Sequence, residues 1–131
     1  MSEQATSTLD RTIGDKPLSY FRAVDALDPD AVLAHFADDA TLTVQTAHVT
    51  FTGAEEIRRM FVDFFAEWES MVHTVTNLVV DAQAGTVATE QHVDLVAGTT
   101  TAMHNCNFFT VNDAGQFSRV IIWMDGVNPL T

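Results

Sequence analysis

Residues 71–125 read MVHTVTNLVVDAQAGTVATEQHVDLVAGTTTAMHNCNFFTVNDAGQFSRVIIWMD, and this stretch decides the fold. Apolar and polar side chains alternate along most of it, which is typical of β-strands, whose successive side chains point to opposite faces. The connections are short and each contains a glycine, as hairpin turns require. The pattern predicts four long antiparallel strands over 71–81, 86–97, 101–111 and 116–125.

The residues before this stretch predict two helices in succession. Pro17 suits the first turn of a helix, and Leu18, Phe21 and Val24 follow at helical spacing. Asp28 as N-cap and Pro29 at the first helical position then start a second, short helix. We expect that helix to end at the polar pair of residues 38 and 39.

A short hairpin and a third helix complete the predicted elements. Residues 41–46 and 48–52 are rich in β-branched side chains and alternate in polarity, as paired strands do. Thr52 and Glu55 have the spacing of a capping box, in which each side chain binds a free backbone N–H of the other. The helix that follows carries an apolar face of Ile57, Met60, Phe61, Phe64, Phe65 and Trp68.

This order of elements predicts an α+β fold, in which three N-terminal helices pack inside a strongly bent, mostly antiparallel sheet. The chain of 131 residues is the size of one domain, and we assign that domain to residues 15–131. Residues 1–14 are polar and aperiodic, so we expect them to form a flexible N-terminal arm.

The charge balance excludes two classes of partner. Six Lys and Arg against 18 Asp and Glu give a net charge of −12, which repels nucleic acid and anionic membranes. The single cysteine, Cys106, cannot form an internal disulfide, and no apolar leader precedes the first helix. We therefore expect a cytoplasmic protein that binds neither nucleic acid nor membrane.

Three segments resemble the SnoaL-like branch of the nuclear transport factor 2 superfamily. They are YFRAVDALD at 20–28, FADDAT at 36–41 and HTVTN at 73–77, and the resemblance spans nearly the whole chain from about Leu18. It implies a cystatin-like, conical α+β barrel that encloses an apolar pocket and forms a homodimer through the outer face of its sheet. The family includes isomerases, dehydratases, cyclases, epoxide hydrolases and inactive binding modules.

The resemblance also implies candidate catalytic residues. As in scytalone dehydratase, Asp25 on the first helix matches an aspartate that orients a histidine on the first long strand, here His73. As in limonene-epoxide hydrolase, Asp94 and Asp125 match two aspartates, but His92 replaces the arginine that bridges them.

A third comparison, with ketosteroid isomerase, concerns substrate binding. Tyr20 matches a tyrosine that binds the substrate oxygen, and Asn107 falls near the neutral acid that assists it. The general base of that enzyme falls on Val44 here, so the same mechanism is not available. Tyr20 and Asn107 remain as hydrogen-bond donors to a carbonyl.

Each candidate also has a purely structural explanation. Asp25, Asp94, Asp125 and His92 are common as solvated residues, and His73 is compatible with a hydrogen-bonded core histidine. Tyr20 could simply anchor the first helix. Phe61, Phe65 and Trp123 would be core residues first and pocket walls second. No HExxH motif or histidine pair at helical spacing occurs, so we predict no metal site.

We therefore expect a cofactor-free acid/base enzyme of the dehydratase, isomerase or cyclase kind, acting on a small hydrophobic carbonyl or hydroxyl compound. His73 would move the proton, with Asp94 or Asp125 as a second acid or base. The alternative is a non-catalytic module that binds a small ligand or only dimerises. A homodimer is expected because Val120, Ile122 and Met124, which we place on the outward face of their strand, are too apolar to leave in water.

Overall fold

A computed structural model describes the backbone of residues 2–125 and the side chains of residues 12–125. It contains three α-helices: α1 (Ser2–Asp25), α2 (Pro29–Leu33) and α3 (Gly53–Ala66). Six strands form one sheet: β1 (Phe36–Val44), β2 (Val49–Thr52), β3 (Ser70–Asp81), β4 (Thr86–Ala97), β5 (Thr99–Val111) and β6 (Phe117–Met124). The strand order is β2-β1-β6-β5-β4-β3, with a single parallel pair, β1 with β6, among the described strands.

The expected α+β architecture is confirmed. The helices lie on the inner face of the curled sheet, with α1 against β3 and β4 and α3 against β1 and β2. The sheet does not close, because its edge strands β2 and β3 do not pair with each other. None of the described helices combines the length and the apolar character needed to cross a bilayer.

Helix α1 is longer than its sequence pattern predicts. It begins at Ser2, and Pro17 lies in its interior instead of at its start. Burial of Ile13 against the core, at 8% exposure, explains why helix continues upstream of the proline. The expected start at Pro17 is therefore wrong. The flexibility of residues 1–14 and the single domain over 15–131 stay predictions.

Helix α2 confirms its predicted beginning but not its end. The Asp28 carboxylate accepts a hydrogen bond from the backbone N–H of Ala31 at 3.1 Å, as an N-cap does. The helix ends at Leu33, and Phe36 already belongs to β1, where it pairs with Phe117 of β6. Pairing with a distant strand overrides the local helical pattern in this segment.

Helix α3 has the predicted apolar face, with Ile57, Met60, Phe61, Phe64 and Phe65 all buried. Its capping box differs from the prediction: the Thr52 side chain makes no capping bond. Instead the backbone N–H of Thr52 donates to the carboxylate of Glu56 at 3.0 Å, so Glu56 takes the place expected of Glu55.

The four long strands match the prediction to within two residues at each end. On β6, however, the predicted face is wrong. Val120, Ile122 and Met124 are buried on the inner face, whereas Trp123 is 49% exposed on the outer face. The run VIIWM is apolar at every position, so alternation could not show which residues face the core.

Candidate active site

A histidine and a carboxylate meet where the end of α1 touches β3. The Nδ1–H of His73 donates to Oδ1 of Asp25 at 2.6 Å. The backbone N–H of His73 also lies 3.0 Å from Oδ2 and 3.2 Å from Oδ1 of the same carboxylate. The ring of Phe21, one turn earlier on α1, stacks on the imidazole at 4.9 Å with planes 17° apart. The imidazole is therefore held on its edge and on one face.

This arrangement determines which ring nitrogen of His73 is available for chemistry. An ionised carboxylate only accepts hydrogen bonds, so the neutral imidazole carries its proton on Nδ1. Nε2 then keeps its lone pair and is the basic atom. The side chain of His73 is 10% exposed and lines a pocket.

The pocket lies between the helices and the inner face of the sheet, and its cavity volume is small, about 30 Å³. Its walls are mostly apolar, as in most small-molecule sites. The helices contribute Tyr20, Phe21, Val24, Phe61 and Phe64. The strands contribute His73, Gln91, Val93, Leu95, Met103, Asn105, Asn107, Ile122 and Met124.

Three buried polar side chains form a hydrogen-bonded chain, and two of them, Gln91 and Asn107, line this pocket. The hydroxyl of Thr89 donates to Oε1 of Gln91 at 2.7 Å, and Nε2 of Gln91 donates to Oδ1 of Asn107 at 3.0 Å. Each link fixes the orientation of the next amide. Since Oδ1 of Asn107 is occupied, its NH₂ group is the part that can still donate to a bound molecule.

Tyr20 adds a second donor to the pocket. It is 3% exposed, and its ring packs edge-on against Phe36, Phe61 and Phe117. Burial raises the pKa of its hydroxyl well above the usual value of a tyrosine, because ionisation would place a charge in an apolar surrounding. Tyr20 therefore keeps its proton near neutral pH and can donate it in a hydrogen bond.

Comparison with known families places the chain. Residues 18–120 match the model of the SnoaL-like domain. The chain belongs to the SnoaL-like domain family. This match covers most of the chain, and it confirms the resemblance that the sequence segments indicated. No curated protein sequence matches the chain significantly.

Solved structures share the fold of this SnoaL-like chain. The pinacolase BvnE from Penicillium brevicompactum has a TM-score of 0.80 at 14% identity, covering 89% of this chain and 85% of the enzyme. An LEH-like epoxide hydrolase from M. tuberculosis has a TM-score of 0.76 at 17% identity, with 88% and 84% covered. A protein provisionally named as an aromatic ring hydroxylase, from Novosphingobium aromaticivorans, has 0.75 at 25% identity, with 93% and 96% covered.

The structure places four of the predicted site residues at the pocket: His73, Tyr20, Phe61 and Asn107 line it. Asp25 contacts it through His73. Phe65 is buried in the core, 5.6 Å from Phe61 between ring centroids, and is not among the lining residues. The SnoaL-like pocket thus contains the histidine and the tyrosine that the resemblance implied.

The remaining candidates lie outside the pocket, so the expectation of a second pocket carboxylate is wrong. Asp94 and His92 form a pair on the outer face of β4, 3.0 Å apart and 43% and 36% exposed. The Asp125 carboxylate instead accepts the backbone N–H of His104 at 2.7 Å, an exposed bond at the sheet end. Trp123 also faces outward. Alternation along the strands directs these side chains away from the pocket.

Sequence reasoning missed two polar pocket residues, Gln91 and Asn105, which are 1% and 8% exposed, besides several apolar ones. A signal for Gln91 was available, since it shares its strand face with Val87, Val93 and Leu95, and those apolar residues mark the buried face. Asn105 and Asn107 likewise share a strand face with the core residues Met103 and Phe109. Amides at core positions of a strand indicate a polar part of the pocket wall.

Among residues 12–125, no three His, Cys, Asp or Glu side chains are grouped so that they could hold a metal ion. Cys106 is half-buried on β5, and burial, followed by the nearby Glu90 charge, raises the pKa of its thiol. A raised pKa disfavours the thiolate, so this cysteine is not activated as a nucleophile.

Proposed function

We propose that this protein is an acid/base enzyme in which His73, oriented by Asp25, moves a proton on a small hydrophobic carbonyl compound bound in the pocket. The observation that carries the proposal is the Asp25–His73 hydrogen bond of 2.6 Å, which leaves the other ring nitrogen of a pocket-lining histidine as the basic atom.

The groups of the pocket suit a proton transfer next to a carbonyl. Nε2 of His73 takes a proton from the carbon beside the carbonyl, and the electron pair of that C–H bond moves toward the carbonyl oxygen. The O–H of Tyr20 and the NH₂ group of Asn107 donate to this oxygen as its negative charge grows. Asp25 stays ionised and stabilises the imidazolium.

His73 then returns the proton, and its destination decides the product. Delivery to a different carbon gives isomerisation, and delivery to a departing hydroxyl group gives water and an unsaturated carbonyl compound. Because Asp94 and Asp125 lie outside the pocket, a single histidine serves first as base and then as acid. The protein requires no cofactor for either outcome in this scheme.

The proton transfer can be tested without knowing the natural substrate. In D₂O, the wild-type protein should accelerate exchange of the C–H bonds beside the carbonyl of 1-indanone, followed by proton NMR. His73→Asn should reduce the accelerated rate by about 10²-fold or more, since general base catalysis contributes about that much. Asp25→Asn should also reduce it, because an amide NH₂ donates to Nδ1 and moves the proton to Nε2.

The chain contains its own matched control for these variants. His92→Asn removes a histidine that is also paired with an aspartate, but on the outer face of the sheet. We expect it to exchange 1-indanone at the wild-type rate. Equal losses in His73→Asn and His92→Asn, or exchange that survives His73→Asn, would contradict the proposal.

The second candidate function is a binding module without catalysis. It is favoured by one observation: among the described residues that line the pocket, His73 and Tyr20 are the titratable ones, and the others are apolar or neutral amides. In that case 1-indanone would bind, with NMR shifts at pocket residues, and no exchange above the rate in buffer would occur.

A further inference from the structure

One buried acceptor in the pocket has no partner within the described part of the protein. Oδ1 of Asn105 is fully shielded from solvent and makes no hydrogen bond. Burying an unpaired amide oxygen is unfavourable, and such groups are uncommon in folded proteins. The other unpartnered buried atom among the described residues, Nε1 of Trp68, belongs to a side chain that does not line the pocket.

The neighbours of Asn105 explain why it stays unpaired. Asn105 lies opposite Gln91 on β4 and Met124 on β6, and two residues before Asn107 on the same face. Met124 has no N–H in its side chain. Gln91 directs its NH₂ group at Asn107, 3.0 Å away, and its oxygen is taken by Thr89. The two asparagines therefore differ: Asn107 is part of the amide chain, whereas Asn105, which also lines the pocket, has an unpaired side-chain oxygen.

We propose that Asn105 determines which molecules the pocket accepts, by receiving a hydrogen bond from a hydroxyl group of the bound compound. The carbonyl oxygen of the same compound would be bound by Tyr20 and Asn107. The ligand class is thus a neutral hydroxycarbonyl compound. The placement of the carbonyl rests on the proposed function, whereas the role of Asn105 as acceptor does not.

The surroundings of Asn105 favour a neutral donor over a charged one. Val93, Met103, Ile122 and Met124 line the pocket beside it, and the amides that line it are uncharged. An ammonium group would lose its hydration here without gaining a facing carboxylate. A hydroxyl group needs only one acceptor to replace the hydrogen bond that it loses on leaving water.

Three probes that differ at one position test the inference on the intact protein: 1-indanone, 3-hydroxy-1-indanone and 3-methoxy-1-indanone. Dissociation constants come from titrations followed by NMR. We expect the hydroxy compound to bind the wild type about tenfold or more tightly than the methoxy compound, which keeps the oxygen but cannot donate. Asn105→Leu should bring the ratio close to one.

A stability measurement separates a ligand contact from a structural role. Leucine has the branched shape of asparagine and leaves nothing unpaired, so Asn105→Leu should keep or raise the Tm of the empty protein. The matched variant Asn107→Leu leaves the NH₂ group of Gln91 unpaired in the core, and should lower the Tm. A clear loss of Tm in Asn105→Leu would assign Asn105 to the structure and overturn the inference.

The ligand series remains decisive even where a variant fails to fold. If the wild-type protein binds the hydroxy and methoxy compounds equally, or does not bind the hydroxy compound, water alone satisfies Asn105 and the inference is wrong. His73→Asn should keep the hydroxyl preference while it loses proton exchange. Preference without exchange in the wild type would contradict the proposed function alone, and exchange without preference would contradict the inference alone.

Discussion

Asp25 occupies a position where an aspartate is normally unfavourable. It is the last residue of α1, and the carboxyl end of a helix carries partial negative charge that repels a carboxylate. Three hydrogen bonds from the side chain and backbone of His73 offset this repulsion. Functional sites often contain a residue that is unfavourable in its own helix and is stabilised by a partner distant in the sequence.

Tyr20 permits a pH prediction, because it is the only tyrosine of the chain. Burial raises its pKa, so the folded protein holds the phenolic proton at pH values where the unfolded chain releases it, near pH 10. This contribution to stability is present below about pH 10 and is lost as the pH rises above that value. Native protein should show no tyrosinate absorbance near pH 10.

The tyrosinate signal should appear only together with alkaline unfolding, followed by circular dichroism on the same samples. The control is the protein in concentrated urea, in which Tyr20 should titrate at about 10. A native titration at the ordinary pH of tyrosine would mean that its hydroxyl is accessible to solvent, and would remove it as a buried donor of the pocket.

Two turns of the sheet make different demands on their glycines. Both Gly85 and Gly98 have positive φ angles, of 69° and 80°. A Cβ on Gly85 would lie 2.9 Å from the carbonyl oxygen of Val111, whereas one on Gly98 would meet nothing within 4 Å. Backbone strain applies to both positions, and a steric clash only to the first.

We therefore expect Gly98→Ala to lower the free energy of unfolding by about 1 kcal/mol, from the left-handed backbone alone. Gly85→Ala should cost clearly more, because Val111 also donates its N–H to the carbonyl of Gly85 at 2.8 Å and cannot move away freely. Urea unfolding of both variants measures the difference. Equal losses would mean that the turn between β3 and β4 relaxes.

The elements differ in how far the sequence predicts them. The sequence predicts the ends of β4 correctly but not its pocket face, because His92 and Asp94, expected at the site, lie on the exposed face opposite Val87 and Val93. The local pattern predicts helix for the start of β1, since the pairing of β1 with β6 depends on residues about 80 positions away. The Asp25–His73 pair came from resemblance alone, because no local pattern joins residues 48 apart in the chain.

At the scale of the whole molecule, the outer face of the sheet exposes apolar side chains, although the chain as a whole is strongly acidic. Val72, Val79, Phe108 and Trp123 are each about half exposed there. Val79, Ala88, Phe108 and Ile121 face one another across four strands. An apolar row of this kind is typical of a surface that binds a partner. Here we expect the partner to be a second copy of the chain.

Association through this face should bury the apolar row. The net charge of −12 on each copy opposes association by electrostatic repulsion. Added salt screens that repulsion, so the dimer should become tighter at higher ionic strength. Light scattering after gel filtration should give twice the mass of one chain for the wild type, and the mass of a single chain for Phe108→Lys. The control is Val62→Lys, which makes the same charge change at a 44% exposed valine of α3, away from the sheet, and should stay dimeric. A wild type that is monomeric at micromolar concentration and in high salt would show that this face stays exposed to water.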